Sequence, residues 1–451
     1  MNSTAASRLL VSTLMLLALY FSSPAQSSKN LEPLPKLLSV REQQAVRESW
    51  LKKRLDTMLL PMMRRQKIDM WIVTNEEFHA DPVTAHIAPP LPYVGRRDFF
   101  IFADRGGDKL DRLALVRYPE EHLKYFFEIL NPPGSDVPTT LRRLVEERNP
   151  KTIALNFGGS RGATNGITQS TYLYLTQTLG QNYASRFVSA APLIVEYMDT
   201  RVPEELEHYR TAVALTDILT QRAFSNEVIT PGKTTVGDVR WWFLQQVNNL
   251  GLDVWFQPDL RLQRQNQQTG KTQQFVSVAE ESVVIQRGDV IHIDCGLNYM
   301  GLSTDWQKMG YVSREGEKDV PEGLKQALAN TNRLQDALFT HIKPGVPGFE
   351  VYDATMADMK SLGIEAMIYS HSVGNQGHGL GASVDFRRPI AGAAEPPFRE
   401  GSYTSIELNT TTAVPEWGGQ KVTIMLEDDA YLTKDGMKWF RPRQTAFYLI
   451  R

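Results

Sequence analysis

Five side chains of the types that bind divalent metal ions follow one another through the last third of the 451-residue chain. Four are carboxylates and one is an imidazole. This oxygen-rich set with a single nitrogen donor suits two divalent cations held a few ångströms apart. The five residues are Asp294, Asp305, His378, Glu407 and Glu427.

The segments around these residues predict how they are positioned. The stretch IHIDCGLNYMGLSTDWQKMGYV reads as two short strands joined by a turn at 298–301, with Asp294 and Asp305 near the middle of each. The two glutamates come from the apolar runs YTSIEL and VTIMLEDDAYL, and His378 stands in the segment GNQGHGLG. A buried carboxylate is costly unless a cation compensates it. Each residue alone is weak evidence, whereas several carboxylates in one apolar sheet favour a metal site.

Two further histidines lie close to this set in the sequence. The glycines around His378 let the backbone approach a metal or a substrate closely, or simply form a turn. His371 lies seven residues earlier. We predict that it lines the same pocket and acts as a catalytic residue, and a structural histidine is the alternative. His292 shares a strand face with Asp294, which indicates either a partner that orients a ligand or a hydrogen-bonded core histidine.

Composition limits the classes of function. The chain has 49 basic and 51 acidic residues and no Lys/Arg-rich run, so we expect no nucleic-acid partner. Its length predicts two or more domains with sizeable cores. The sole cysteine, Cys295, excludes an intramolecular disulfide. Strand alternation turns Cys295 away from Asp294, and we interpret it as a small buried apolar residue.

The N-terminus has the features of a signal peptide over residues 1–25. Arg8 is followed by an apolar stretch from Leu9 to Phe21, and Ser23 and Ala25 fit the small positions of a cleavage site. The apolar stretch is short for a permanent transmembrane helix. We therefore expect a secreted or periplasmic protein without a stable membrane span. An uncleaved N-terminal anchor is the alternative.

Residues 30–199 alternate between strand-like and helix-like segments, which predicts an α/β N-terminal domain. Helical spacing covers 40–66 with a kink or break at Pro61. Strands are predicted for IDMWIVTN, RDFFIFAD, RLALVRYP and TIALNFGG, and helices around 120–130, 138–148 and 170–180.

Residues 200–451 form the second predicted domain and contain all five candidate ligands. A Pro203-Glu204-Glu205 helix start opens it, and further helices are predicted after the Pro231-Gly232 turn and at 320–343 and 348–362. Most of the remainder reads as strand. The Gln-rich segment PDLRLQRQNQQTGKTQQ reads as an exposed excursion without regular structure.

The second half resembles the pita-bread metallohydrolases, which include aminopeptidase P, prolidase, methionine aminopeptidase and the metal-free creatinase. The ligands of that family run Asp, Asp, His, Glu, Glu, and its two aspartates stand eleven residues apart in a hairpin, as Asp294 and Asp305 do. A Gly-His-Gly-like segment is matched around His378, and a Glu-Asp pair is matched at Glu427-Asp428. The first domain resembles the creatinase/prolidase-type N-terminal domain. The implied fold is an α/β N-terminal domain plus an α+β pita-bread C-terminal catalytic domain.

The resemblance implies an Xaa-Pro aminopeptidase or prolidase-like exopeptidase with two divalent metal ions. Manganese is the expected metal, with zinc, cobalt or iron as alternatives. Asp294 would chelate one ion, Asp305 and Glu427 would bridge both, and His378 and Glu407 would bind the other. A bridging water would attack the scissile carbonyl while Glu407 shuttles its proton. Peptides are the implied substrates, with proline in the second position, and a homodimer is the implied assembly.

Several positions depart from the family's pattern. The peptidases carry a histidine upstream of the first aspartate, and no histidine lies between His208 and His292. A second histidine seven residues after the ligand would fall at Asp385, and an arginine of proline-specific members is replaced by Met425. These departures keep two alternatives open: a metal-dependent non-peptidase such as a lyase or small-amide hydrolase, and a metal-free binding module.

Two arginines after the histidine segment bear on substrate recognition. Arg387 and Arg388 follow the GNQGHGLG segment closely in the sequence. They would suit a contact with a substrate carboxylate, and ordinary surface charges are the alternative that we favour.

Overall fold

The computed structural model describes residues 32–90, 94–387 and 396–451. The predicted signal peptide and Arg388 lie outside these residues. The described chain forms two layered units, each built on its own large sheet. The elements before Thr200 belong to the first unit and those from Glu205 onward to the second.

The N-terminal unit is a mixed six-stranded sheet in the order β4-β3-β2-β1-β5-β6. Apolar side chains alternate between its two faces, so that Trp71 and Val73 join one core and Met70 and Ile72 the other. Helices cover both faces. The strands are β1 (Met70–Glu76), β2 (Arg97–Asp104), β3 (Leu110–Leu115), β4 (Glu128–Leu130), β5 (Ile153–Leu155) and β6 (Phe187–Ser189). The helices are α1 (Val40–Lys53), α2 (Leu59–Arg65), α3 (Thr84–Ile87), α4 (Val137–Arg148), α5 (Gln169–Leu179), α6 (Gln181–Ala184) and α7 (Ala191–Asp199).

The first helical run begins at a capping box, in which Ser39 and Glu42 satisfy each other's backbone N–H groups. A π-helical segment at Arg54–Met58 joins α1 to α2. It lies directly before Pro61, whose ring cannot approach the carbonyl of residue 57 in a regular α-helix. The wider turn accommodates the proline, so the chain remains helical through Pro61 and the helix is not interrupted there.

The second unit is a nine-stranded, mainly antiparallel sheet whose main path is β16-β15-β17-β18-β14-β11-β8. The strands β19 and β20 pair with β18 and β14 respectively. Its helices are α8 (Glu205–Ala223), α9 (Val236–Asn249), α10 (Glu322–His341) and α11 (Gly348–Ser361). Its strands are β7 (Asp253–Val254), β8 (Asp259–Gln263), β9 (Lys271–Thr272), β10 (Phe275–Val276), β11 (Val290–Cys295), β12 (Leu297–Tyr299), β13 (Leu302–Ser303), β14 (Trp306–Val312), β15 (Glu365–Ser372), β16 (Val384–Asp385), β17 (Tyr403–Val414), β18 (Gln420–Thr433), β19 (Gly436–Trp439) and β20 (Tyr448–Ile450).

Two predictions of local structure are wrong. The helix predicted around 120–130 is a short 3-10 turn at Glu121–Tyr125 followed by strand β4, which extends the sheet edge beside β3. The Gln-rich segment contains strand β8, which pairs with β11 beside Asp294. Its alternating Leu260 and Leu262 supply the apolar positions that a strand needs, within an otherwise polar stretch.

The predicted metal-site hairpin has two parts. Strands β11 and β14 pair within the large sheet, while β12 and β13 form its tip in a small separate sheet. Met300 and Gly301 at the tip both have positive φ, as a tight two-residue hairpin turn requires. The carboxylates therefore lie near the ends of strands and not at their middles: Asp294 is next to last in β11, and Asp305 directly precedes β14.

Candidate metal centre

The hairpin brings Asp294 and Asp305 to one side of the large sheet. Asp294 lies opposite Gln307 of β14 and opposite Asp259 of β8 in the strand register. The backbone N–H of Asp305 donates to the Asp429 carboxylate at 3.3 Å, and Tyr209 donates its hydroxyl to the same oxygen at 2.8 Å. Helix α8 and strand β18 thus fix the backbone that carries Asp305.

Glu407 and Glu427 lie directly opposite each other on the neighbouring strands β17 and β18. Like charges in such a cross-strand pair repel each other. Ser405 donates a short hydrogen bond to one oxygen of Glu427, and Gln307 donates one to Glu407. Glu427 is fully buried, so two carboxylates face each other in a region with little access to water.

The pKa values show how unfavourable four such carboxylates are without a cation. Burial, followed by repulsion from neighbouring carboxylates, raises the pKa of Asp294, Asp305 and Glu427 well above the ordinary range. Burial raises the pKa of Glu407 to about 8. A divalent cation would reverse this balance, because it compensates the charges that burial penalises.

Three ligand-type atoms in this cluster are buried and have no hydrogen-bond partner among the described residues. They are one oxygen of Asp294, one oxygen of Glu427 and the Nε2 atom of His371. Buried polar atoms without partners are uncommon and call for an explanation. The donor types fit divalent metal ions, which take carboxylate oxygen and neutral imidazole nitrogen together.

His371, on strand β15, is the histidine at the middle of this cluster. Its Nε2 atom lies 3.5 Å from Glu407, 3.6 Å from Asp305 and 3.8 Å from Glu427. The Nδ1 atom donates to the Ser372 carbonyl at 3.0 Å, which leaves Nε2 as the acceptor. Burial lowers the pKa of His371 to about 4, so the ring is neutral at neutral pH and suited to bind a metal.

His378 occupies a more open position beside His371. Their ring centroids are 4.6 Å apart, and the His378 side chain is exposed. The flanking glycine has a packing role here, because a Cβ at Gly377 would lie 2.1 Å from the Trp255 indole. Trp255 in turn contacts the His378 ring edge-on. At Gly377 the absence of a side chain therefore lets the backbone lie against a tryptophan.

Groups that could hold a metal ion overlap within the cluster. One contains Asp294, Asp305 and Glu427, and another contains His371, Glu407 and Glu427, so the two share Glu427. A third joins His378 to Asp305 and His371. The four predicted carboxylates and both histidines therefore come together. Both histidines belong to possible ligand groups, and His371 is the one whose Nε2 lies within 4 Å of three carboxylates.

The supporting residues include two that the sequence interpretation overlooked. Gln307 links the site across the sheet, because it donates to Glu407 and bonds His292 Nε2 at 2.9 Å. His292 is buried and hydrogen-bonded to a residue that holds Glu407, which fits both of its interpretations. Arg261 on β8 pairs with Asp259 at 2.8 Å, and its charge opposes the rise in the pKa of Glu407. The polar composition of its segment predicts an exposed excursion, so the sequence gives no signal for this position.

A cavity of about 740 Å³ opens onto this cluster, a size within the usual range of small-molecule sites. His371, His378 and Glu407 line it on one side. The N-terminal unit forms the facing wall through residues that include Ser160 and Arg161. The site is therefore a cleft between the two units.

Two other residues considered from the sequence, Cys295 and Arg387, each contact a neighbouring side chain. Cys295 is buried and its Sγ lies 3.4 Å from the Thr220 hydroxyl, as expected for an inert core side chain. Arg387 forms a salt bridge of 2.5 Å with Asp385, so its charge is already paired. Within the described ranges, no helix combines the length and apolar character that a membrane span requires.

Comparison with known proteins identifies the class to which this fold and site belong. Residues 207–434, just over half of the chain, match the model of metallopeptidase family M24. The chain therefore belongs to this family of metal-dependent peptidases and has its pita-bread fold. None of the curated proteins matches the chain.

Several solved structures share this fold across both units. An X-Pro aminopeptidase from Thermotoga maritima is 16% identical with a TM-score of 0.64, covering 86% of this chain and 99% of that chain. An Xaa-Pro dipeptidase from Bacillus anthracis is 17% identical with a TM-score of 0.62, covering 90% and 100%. A prolidase from Pyrococcus horikoshii is 18% identical with a TM-score of 0.57, covering 87% and 98%. The fold class predicted from the sequence is confirmed.

Proposed function

We propose that this protein is an exported, metal-dependent exopeptidase that hydrolyses the N-terminal bond of peptides with proline in the second position. The observation that carries the proposal is the cluster of four carboxylates and two histidines at one end of a cleft between the two units. Solved structures with the same fold include proteins described as an X-Pro aminopeptidase and an Xaa-Pro dipeptidase.

The overlapping ligand groups support two divalent ions. Asp294, Asp305 and Glu427 would hold one ion, and His371, Glu407 and Glu427 would hold the other, with Glu427 shared. We assign the histidine ligand to His371 because its unpartnered Nε2 faces three carboxylates. Manganese suits this oxygen-rich set, and zinc, cobalt and iron are the alternatives to test.

The assignment of His371 also changes the comparison with the family pattern. A second histidine seven residues after the ligand is then present, as His378 and not as the Asp385 considered from the sequence. His378 is exposed at the cavity wall and contacts His371. It is placed to donate a hydrogen bond to a substrate carbonyl or leaving group.

The chain's own residues would divide the remaining work. When bound, the ions would supply a water molecule of lowered pKa and polarise the scissile carbonyl. Gln307 donates to one oxygen of Glu407 and so orients this carboxylate, whose other oxygen faces the ligand group; Glu407 would bind the ion there and would also accept and return the proton. The wall formed by the N-terminal unit would close the cleft and restrict cleavage to the end of a peptide chain.

The test is hydrolysis of a peptide panel by manganese-loaded protein, with Asp294→Ala as the matched inactive variant. We expect release of the first residue from Xaa-Pro peptides and loss of that activity in the variant. Bound metal should be measured in the same samples. Absence of turnover across the panel, with metal bound, would refute the proposal.

The alternative of a metal-dependent non-peptidase rests on the auxiliary groups that the chain lacks relative to the family's pattern. With His378 in the auxiliary position it loses one support, while Met425 and the absent upstream histidine remain. Activity on a small amide with none on any peptide would favour it. Bound metal together with catalysis would argue against a metal-free binding module.

Export and assembly are proposed from the sequence. Residues 1–25 have the features of a signal peptide, and the resemblance to the pita-bread enzymes implies a homodimer. Expression of the full chain followed by N-terminal sequencing of the secreted product tests the first. Sedimentation equilibrium of that product tests the second.

A further inference from the structure

A second, smaller cavity of about 40 Å³ lies where the N-terminal unit meets the tip of the metal-site hairpin. Helix α1 contributes Arg47, Trp50 and Arg54 to its wall, and the hairpin tip contributes Met300 and Gly301. It shares no lining residue with the cleft at the metal centre. It is therefore a separate site from the one at which the proposed reaction occurs.

The described residues of this wall carry more positive than negative charge. Arg54 is buried and pairs with Glu205, whose Oε1 atom accepts from Arg54 Nε at 3.1 Å and from Nη2 at 2.6 Å. Glu205 is the only acidic residue among the described residues of the wall. Arg47 is partly buried, yet it forms no hydrogen bond or ion pair with any described residue. One guanidinium charge in the wall therefore has no carboxylate to balance it.

Arg47 lies against the hairpin tip. Gly301 has a φ of +76°, and a Cβ at this glycine would lie 3.4 Å from the Arg47 guanidinium. Burial lowers the pKa of Arg47, because part of its charge is removed from water without a compensating partner. Burying a charge is costly unless it is paired. An anion in the cavity would remove that cost.

His86 on α3 also lines the cavity and is surrounded by the same excess of positive charge. Burial, followed by the charges of Arg54, Arg47 and Arg201, lowers the pKa of His86 to about 3. The ring is therefore neutral at neutral pH and adds no charge of its own. Three arginines act on this corner of the molecule.

The polar atoms that lack partners here are mainly donors. Trp50 is 6% exposed, and its indole Nε1–H has no acceptor among the described residues. One buried acceptor, Glu205 Oε2, also lacks a hydrogen bond, and it lies 3.9 Å from the Arg201 guanidinium. Indole and guanidinium N–H groups can only donate, so they match an ion that only accepts.

We propose that this cavity binds a chloride ion, which links helix α1 to the hairpin that carries Asp294 and Asp305. The unpaired Arg47 and the Trp50 indole would be its main donors. The volume of about 40 Å³ exceeds the roughly 10–15 Å³ that one water-sized sphere needs, so a monoatomic ion fits with one or two of its water molecules. The anion would balance the positive charge at the contact between the units, as cations would balance the negative charge at the metal centre.

The experiment measures the thermal unfolding midpoint while chloride replaces gluconate, a bulky organic anion, at constant ionic strength. We expect the midpoint to rise with the logarithm of the chloride concentration, because chloride would bind the folded state alone. Arg47→Gln should raise the chloride concentration needed for a given rise by roughly tenfold or more, the effect of losing one charged hydrogen bond. Arg41→Gln is the matched control, because Arg41 is an exposed arginine of the same helix, and it should keep the wild-type response.

Bromide soaked into wild-type crystals tests the location without any variant. We expect an anomalous peak beside Arg47 and Trp50. The inference would be overturned by a midpoint that follows ionic strength whatever the anion, by an equal loss of response in Arg41→Gln, or by the absence of a bromide peak in this cavity. A response to sulfate but not to chloride would overturn it as well. None of these measurements uses a peptide, so the result is independent of the proposed peptidase activity.

Discussion

Glu427 and Asp428 are neighbours on β18, both fully buried, yet they meet opposite surroundings. Asp428 faces Lys308, whose ammonium lies 2.5 Å away, and it accepts from the Gln335 side chain at 2.9 Å. Glu427 faces Glu407, Asp305 and Asp294 and meets no lysine or arginine in a described ion pair. Strand alternation separates the two faces.

The difference shows which buried carboxylates have their charge compensated by another side chain of the protein. On the Asp428 face a buried ion pair is complete, and Lys308 also lies over the Trp306 ring. On the Glu427 face the carboxylates repel one another and keep unpartnered oxygens. The Asp428 face therefore stabilises the fold, and the Glu427 face is arranged to bind cations.

Replacing each carboxylate by its amide should give the largest contrast: Glu427→Gln should lower activity, and Asp428→Asn should lower stability. Glu427→Gln is expected to lower kcat/KM by roughly 10³-fold, the scale of losing a group that stabilises charge in the transition state. It should leave the stability of the metal-free protein unchanged or slightly higher, because it removes like-charge repulsion. Peptidase kinetics and urea unfolding in EDTA measure the two effects. A clear loss of stability without metal would contradict the comparison.

Asp428→Asn should have the opposite profile. It leaves Lys308 buried without its carboxylate, a change that costs about 3–5 kcal/mol of unfolding free energy. The metal ligands remain, so folded protein should still bind metal. Urea unfolding measures the loss. The double variant Lys308→Met/Asp428→Leu is the control, and it should recover most of the stability because no unpaired charge remains.

The two histidines give the next contrast. His371→Ala should weaken metal binding by roughly 10²-fold, since it removes a ligand, whereas His378→Ala should retain metal and lose roughly 10²-fold in kcat, the size of a general acid–base contribution. Metal content after dialysis, measured beside the kinetics, separates the outcomes. Loss of metal in His378→Ala with retention in His371→Ala would restore the assignment made from the sequence.

The carboxylates could be predicted from the sequence because their order and spacing are local properties of the hairpin and two strands. The exchange of histidine roles that we propose has no such local signal, because only the tertiary structure brings His371 to Glu407. Strand β8 was overlooked because Arg261 and Asp259 are polar where they face the site. Arg161 comes from the other unit, so no local pattern relates it to the cluster.

The smallest contrast concerns two glutamines in matched positions. Gln307 donates to Glu407 on the metal face, and Gln335 donates to Asp428 on the ion-pair face. Gln307→Leu should lower metal affinity or activity by about 10–100-fold, because residues that orient metal ligands have effects of this size. Gln335→Leu should instead lower stability and leave kcat/KM near the wild-type value.

If the two variants lose activity equally, Gln307 acts only through the packing of the sheet. The contrast between the two faces would then be limited to the carboxylates themselves. If Gln307→Glu, which keeps the side chain's shape but cannot donate to Glu407 when ionised, is as inactive as Gln307→Leu, the donated hydrogen bond is the contribution that matters.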